Sequence, residues 1–100
     1  LRQKGNLEAA RAEMQEAARL NKIKTNRQAG TFALNTGIAN LKDGKTNDAL
    51  FQFQKAVELM PDNAEVYYHL AKALKLKGKK LESDVAYRKA KQLNSRIRPL

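Results

Sequence analysis

Apolar residues recur along the chain at steps of three and four positions, and alternation with a period of two never persists. This spacing places apolar side chains on one face of an α-helix, so the pattern predicts an all-α protein. One apolar stripe near the start predicts a first helix over residues 6–20. Its members are Leu7, Ala10, Met14 and Ala17.

Turn and capping signals divide the rest of the chain into further helices. Thr25 followed by Gln28 has the form of a capping box, and the Asp43-Gly44 pair ends the helix that this box would begin. In all, about five helices are predicted, over residues 6–20, 26–42, 46–59, 62–77 and 80–94. Because the connections are very short, neighbouring helices must pack antiparallel as stacked hairpins.

The chain repeats itself at an offset of 34 residues, which superposes Gly44 on Gly78 and Phe53 on Tyr87. The other matching pairs are Gly37 with Ala71, Ala56 with Ala90, and Leu59 with Leu93. Small residues stand where two helix axes must approach closely, and the aromatic residues fill the wedge between hairpins. The sequence therefore contains two copies of one helix-turn-helix unit.

This unit resembles the tetratricopeptide repeat, whose pattern has a small residue in the first helix, then Ala-x3-Phe and a closing Pro. The first copy matches at Gly37, Ala49, Phe53, Ala56 and Pro61, and the second at Tyr67, Leu70, Ala71, Leu74, Tyr87 and Ala90. The departures are Ala33, Thr36 and Asn40 in the first copy, and Ser83 and Ser95 in the second. The resemblance implies a right-handed solenoid of helical hairpins that binds proteins without catalysis.

A half-repeat precedes the two copies, because Gly5, Ala10, Met14 and Ala17 repeat the later spacing at an offset of 39 residues. The five additional residues fall within residues 21–29 and are expected to lengthen the next helix by about one turn. Residues 1–4 would be the stub of a truncated partner helix. Since the chain starts in mid-repeat, it is interpreted as a C-terminal fragment of a longer protein of this family.

These observations predict a division of the chain into four parts. They are a half-repeat and linker over residues 1–25, a first full repeat over 26–61, a second repeat over 62–95, and a tail over 96–100. On one face of the second repeat, charged residues replace the largely apolar face of the first: Leu50, Gln54 and Val57 become Asp84, Arg88 and Lys91. Terminal repeats need a polar outer face, so the second repeat is interpreted as a C-terminal cap. The residues after it are either the end of the array or a frayed tail.

Composition adds little catalytic chemistry to this picture. The chain has no Cys, which excludes disulfides, thiolate metal sites and a cysteine nucleophile. His69 is the only histidine, and no nucleophile–base pair accompanies it. No enzyme activity, cofactor or metal is therefore predicted, and the longest apolar runs are too short to span a membrane.

In the family that the chain resembles, the first helix of each hairpin lines a concave groove. Helical spacing then gives eight candidate groove residues: Thr31, Leu34, Ile38, Leu41, Glu65, Tyr68, Lys72 and Leu76. Such a mixed apolar and cationic surface suits an extended or helical peptide with hydrophobic anchors and an acidic group. The alternative is that the leucines and isoleucine of the first helix are covered by other parts of a longer protein or by a second copy. Some family members bind the C-terminal carboxylate of chaperones, but Glu65 and His69 replace the expected cations, so that activity is not carried over.

The net charge is +10, and its excess lies at the two ends of the chain. Lys75, Lys77, Lys79 and Lys80 form a predicted basic patch that, with Lys72, favours a second hypothesis, a helical adaptor for RNA or another anionic surface. Against it, no aromatic residues interleave with the lysines to stack bases, and a basic turn that docks an acidic partner explains them as well. A third hypothesis is the non-catalytic tail of a larger enzyme. Self-association is also expected, through the uncapped face of Leu7 and Met14.

Overall fold

The computed structural model describes the backbone of residues 2–100, and the side chains of Arg11 and of residues 13–100. This part of the chain contains four helices and no strand. They are α1 (Arg2–Lys42), α2 (Thr46–Leu59), α3 (Ala64–Leu76) and α4 (Lys80–Leu93). The all-α prediction is confirmed, with one helix fewer than expected.

The missing boundary lies inside α1, where the prediction of separate helices over residues 6–20 and 26–42 is wrong. No Gly or Pro interrupts residues 6–29, so nothing in the backbone stops the helix there. The Thr25 hydroxyl donates to the Asn21 carbonyl, 2.8 Å away, one turn back in the same helix. Thr25 is therefore a residue of the helix interior and does not cap a new helix. The proposed stub over residues 1–4, and the side chains of Gly5, Leu7 and Ala10, lie outside the described residues.

The other helix ends agree closely with the sequence signals. Asn63, rather than Asp62, caps α3, and its side-chain oxygen accepts from the Val66 amide at 3.2 Å. Gly44 and Gly78 close the two hairpin turns with φ of +77° and +85°, a left-handed conformation that favours glycine. The same hydrogen bond spans both turns: Lys45 N to Asn40 O at 2.8 Å, and Lys79 N to Leu74 O at 2.9 Å.

The two hairpins, formed by the C-terminal part of α1 with α2 and by α3 with α4, pack through α2 and α3. Phe53 of α2 is fully buried beside Ala49 and Ala73. A Cβ atom on Gly37 would lie only 2.5 Å from Cε1 of the Phe53 ring, so the glycine makes room for the ring. In the second hairpin Ala71 is buried at the matching position.

Ser83 departs from the family pattern, which has Ala at this point, and the structure gives the reason. The side chain is buried, and its hydroxyl donates to the Ala71 carbonyl at 2.7 Å. A buried hydroxyl with its hydrogen bond satisfied carries no desolvation penalty large enough to disturb the packing.

The chain is elongated, 65 Å along its longest axis, because α1 extends well beyond its hairpin. We call residues 11–29 of α1 the arm. Every described side chain of the arm is exposed except that of Asn26. Its large exposed apolar side chains are Met14, Leu20 and Ile23.

Candidate binding surface

The candidate groove residues of α1 serve the core to different degrees. Leu34, Ile38 and Leu41 are half-buried and pack against the cluster around Phe53. Much of their apolar surface therefore joins α1 to α2 and α3, within this chain. Thr31 is exposed, and its hydroxyl lies 3.9 Å from the Met60 sulfur.

The candidate groove residues of α3 divide into two pairs. Lys72 and Leu76 are exposed, and Leu76 keeps 65% of its surface accessible. Glu65 is half-buried and Tyr68 is buried, because another part of the chain covers them.

That covering part is the segment after α4, residues 94–100, which we call the C-terminal segment. Ile97 is only 6% exposed and packs with Tyr68 and Ala90 in one cluster. The segment is thus folded onto the second hairpin and is not frayed.

Polar contacts hold the C-terminal segment at two successive residues. The Arg98 guanidinium donates to both carboxylate oxygens of Glu65, at 2.9 and 3.1 Å, and lies 4.0 Å from the centre of the Tyr68 ring. The Tyr87 hydroxyl donates to the Arg98 carbonyl at 3.0 Å, and the Tyr68 hydroxyl donates to the Pro99 carbonyl at 3.3 Å. Side chains and backbone of the segment are therefore both recognised.

The electrostatics of this cluster follow from the same contacts. The hydrogen-bonded Arg98 guanidinium holds the pKa of Glu65 below its usual value, so the carboxylate stays ionised at neutral pH. The His69 ring stacks on Phe53 at 5.9 Å and meets the edge of Tyr68 at 5.3 Å. Burial lowers the pKa of His69 from its usual value, against the opposing effect of Glu65, and so favours the neutral ring.

Comparison with protein families accounts for this architecture. A family model described as a TPR repeat matches residues 38–78, and another, described as a tetratricopeptide repeat, matches residues 64–96. The two matches together cover more than half of the chain. The chain belongs to the tetratricopeptide-repeat family. A search of curated proteins finds no significant match to it.

Membership of the tetratricopeptide-repeat family gives the general kind of function. These repeats are protein-interaction modules that stack helical hairpins into binding surfaces, and the family is typically a non-catalytic scaffold. Within the described residues, no group of His, Cys, Asp or Glu is arranged to hold a metal ion. No helix among those residues is long and apolar enough to cross a membrane.

The predicted basic patch spans the end of α3, the turn and the start of α4 of the second tetratricopeptide repeat. All four of its lysines are exposed. Lys77 donates from Nζ to the side-chain oxygen of Asn47 at the start of α2, so one lysine also ties the turn to the first hairpin. The patch lies at the opposite end of α3 from Glu65 and the C-terminal segment.

Glu65, Tyr68, Tyr87, Ile97 and Arg98 form what we call the cluster around Glu65. Three of these residues were not among the predicted site residues: Tyr87, Ile97 and Arg98. The one available signal is Ile97, an isolated aliphatic residue between two arginines near the end of the chain. Helical periodicity could not reveal its place, because the segment is not helical and its contacts reach back to α3. The tetratricopeptide pattern ends before it.

Proposed function

We propose that this tetratricopeptide-repeat chain binds an extended or helical segment of a partner protein on the face shared by the first helices of its two hairpins, α1 and α3. One observation carries the proposal: Glu65 and Tyr68 on the α3 part of this face already hold a non-helical piece of polypeptide, the C-terminal segment. A surface that recognises side chains and carbonyls of one non-helical segment has the features that peptide-binding faces use.

The open part of this face supplies contacts of a different kind. Leu76 offers an exposed apolar anchor and Lys72 a cation next to it on α3. Exposed apolar side chains beside a positive charge suit a partner segment with a hydrophobic residue and an acidic group.

The test compares two leucines of similar exposure. Leu76→Ala removes an anchor from the proposed face, whereas Leu81→Ala removes a leucine of α4 that is 82% exposed and lies outside the proposed face. We expect proteins retained by the immobilised chain at high salt to be lost from Leu76→Ala and kept by Leu81→Ala, with mass spectrometry as the readout. Equal retention by the two variants would refute the proposed face.

The alternative function, binding of RNA or another anionic surface, is favoured by the exposure of all four lysines of the basic patch. It makes a different prediction, since affinity from phosphate contacts falls steeply as salt rises. Under this alternative, Lys77→Ala, Lys79→Ala and Lys80→Ala each weaken binding at low salt. Retention of nucleic acid only at low salt, unaffected by Leu76→Ala, would place this alternative first.

A further inference from the structure

The contacts of the C-terminal segment define what its binding site selects. Ile97 enters the apolar cluster beside Tyr68, and the next residue, Arg98, turns its side chain to Glu65. The carbonyls of Arg98 and Pro99 each accept one tyrosine hydroxyl. The site therefore recognises an aliphatic residue, the arginine that follows it, and the backbone carbonyls of that arginine and of the next residue.

We propose that Glu65, Tyr68 and Tyr87 form a receptor for a non-helical peptide with an aliphatic residue followed by arginine, and that residues 97–99 fill this receptor in cis. This inference rests on the proposed function of the face and names the chemistry of its partner. Release of the C-terminal segment is then a condition for a partner to bind here.

Arginine is selected over lysine by two features of the site. The planar guanidinium donates two hydrogen bonds to Glu65, and its central carbon Cζ lies over the Tyr68 ring, 4.0 Å from the ring centre. A lysine ammonium is a point charge that cannot reproduce the paired hydrogen bonds.

Lys72 lies about two helical turns from Glu65 along α3. A partner that has an acidic group further along its chain could therefore also contact Lys72, on the open part of the face.

Attachment to α4 gives the C-terminal segment a large advantage over any free peptide. A short tether produces an effective concentration on the order of millimolar, so a free peptide of equal affinity occupies the site only rarely. The intact chain should therefore bind such a peptide weakly, and weakening the cis contacts should improve binding.

The experiment uses the full 100-residue chain and a fluorescent peptide with the sequence of residues 94–100. Its affinity is measured by fluorescence anisotropy for the unaltered chain and for the double variant Ile97→Ser, Arg98→Ser. We expect the double variant to bind the peptide at least about tenfold more tightly, because its own segment competes poorly. Adding Glu65→Gln to the double variant should remove most of that gain. A control peptide with Ser in place of both the Ile and the second Arg should not bind.

A milder variant covers the case in which the double variant fails to fold, which circular dichroism would reveal. Arg98→Lys keeps the charge but loses the paired hydrogen bonds, and we expect it to bind the peptide a few-fold more tightly than the unaltered chain. The proposal is overturned if neither folded variant binds more tightly than the unaltered chain, or if the control peptide binds equally well.

Failure of this inference is distinguishable from failure of the proposed function. Leu76 lies outside the cluster around Glu65, so its alanine variant tests the face independently of the C-terminal segment. Partner retention that depends on Leu76, without peptide binding by the variants, would overturn the receptor and leave the proposed function standing. Loss of both effects would overturn both.

Discussion

Small residues decide how closely the helices of each hairpin approach. Gly37 lies directly under the Phe53 ring, which is fully buried, so the ring has little room to move. Gly30 also has a side chain above it, but there the neighbour is Met60, an unbranched and flexible residue that can change rotamer. A methyl group added at Gly37 would therefore meet a side chain that cannot move, whereas one added at Gly30 would meet a side chain that can.

We expect Gly37→Ala to lower the free energy of unfolding by about 1–2 kcal/mol, because overpacking against the ring outweighs the gain in helix propensity. Urea denaturation followed by circular dichroism measures the change. Gly30→Ala is the matched control and should cost less, since Met60 can move aside. A cost for Gly30→Ala as large as that for Gly37→Ala would contradict this account.

At the scale of whole elements, the sequence predicted α2 and α4 to within about a residue, because turn glycines and capping residues act locally. The same reasoning was wrong within α1. A capping box is a pattern of two side chains, and Thr25 forms a hydrogen bond equally well inside a continuing helix. Without Gly or Pro nearby, only tertiary contacts would break the helix, and those are not visible in a local pattern.

The arm and the packed part of α1 should respond differently to proline. A proline in a helix interior removes a hydrogen bond and costs about 3 kcal/mol or more. We expect Ala39→Pro, in the packed part, to lower the free energy of unfolding of the hairpin by about that amount. Ala18→Pro, in the exposed arm, should reduce the helical signal at 222 nm and leave the main unfolding transition nearly unchanged.

Both prolines replace exposed alanines of the same helix, so the comparison isolates the effect of packing. The measurement is thermal unfolding at low micromolar protein concentration. If Ala18→Pro destabilises the main transition as much as Ala39→Pro does, then the arm is part of the folded core.

At the scale of the whole molecule, most of the arm is a helix that no other described part of the chain covers, and only near its end do Ile23 and Arg27 line a cleft with residues 59–63. An isolated helix is only marginally stable in water, so packing against a second helix would stabilise the arm. The arm exposes three large apolar side chains, those of Met14, Leu20 and Ile23. Pairing of two arms would remove part of this apolar surface from water, which favours association of two copies of the chain.

We expect sedimentation equilibrium to show concentration-dependent association through the arm. Met14→Glu should weaken it at least about tenfold, because a charge replaces an apolar side chain that is 70% exposed in the single chain. Gln15→Glu makes the same change in charge at an exposed neighbour and should have a smaller effect. A monomer at all concentrations would refute pairing of the arms.

The groove residues illustrate how far sequence reasoning reaches. Spacing placed Leu34 and Ile38 on one face of α1. It could not predict how much of that face α2 and α3 cover, since burial depends on where the neighbouring helices end. On α3, spacing placed Glu65 and Tyr68 together. It gave no sign that Arg98, 33 residues later, would return to them. Their roles in binding a partner stay predictions.

The sequence by itself determined α2, α3, α4, the turns and the repeat, because helical periodicity, glycines with positive φ and small residues at helix crossings are local requirements of the chain. The tertiary structure alone decided two features, the unbroken α1 and the position of the C-terminal segment. Both depend on contacts between residues far apart in the sequence, or on their absence. In the C-terminal segment, the burial of Ile97 and the pairing of Arg98 with Glu65 arise only once α3 and α4 have packed together.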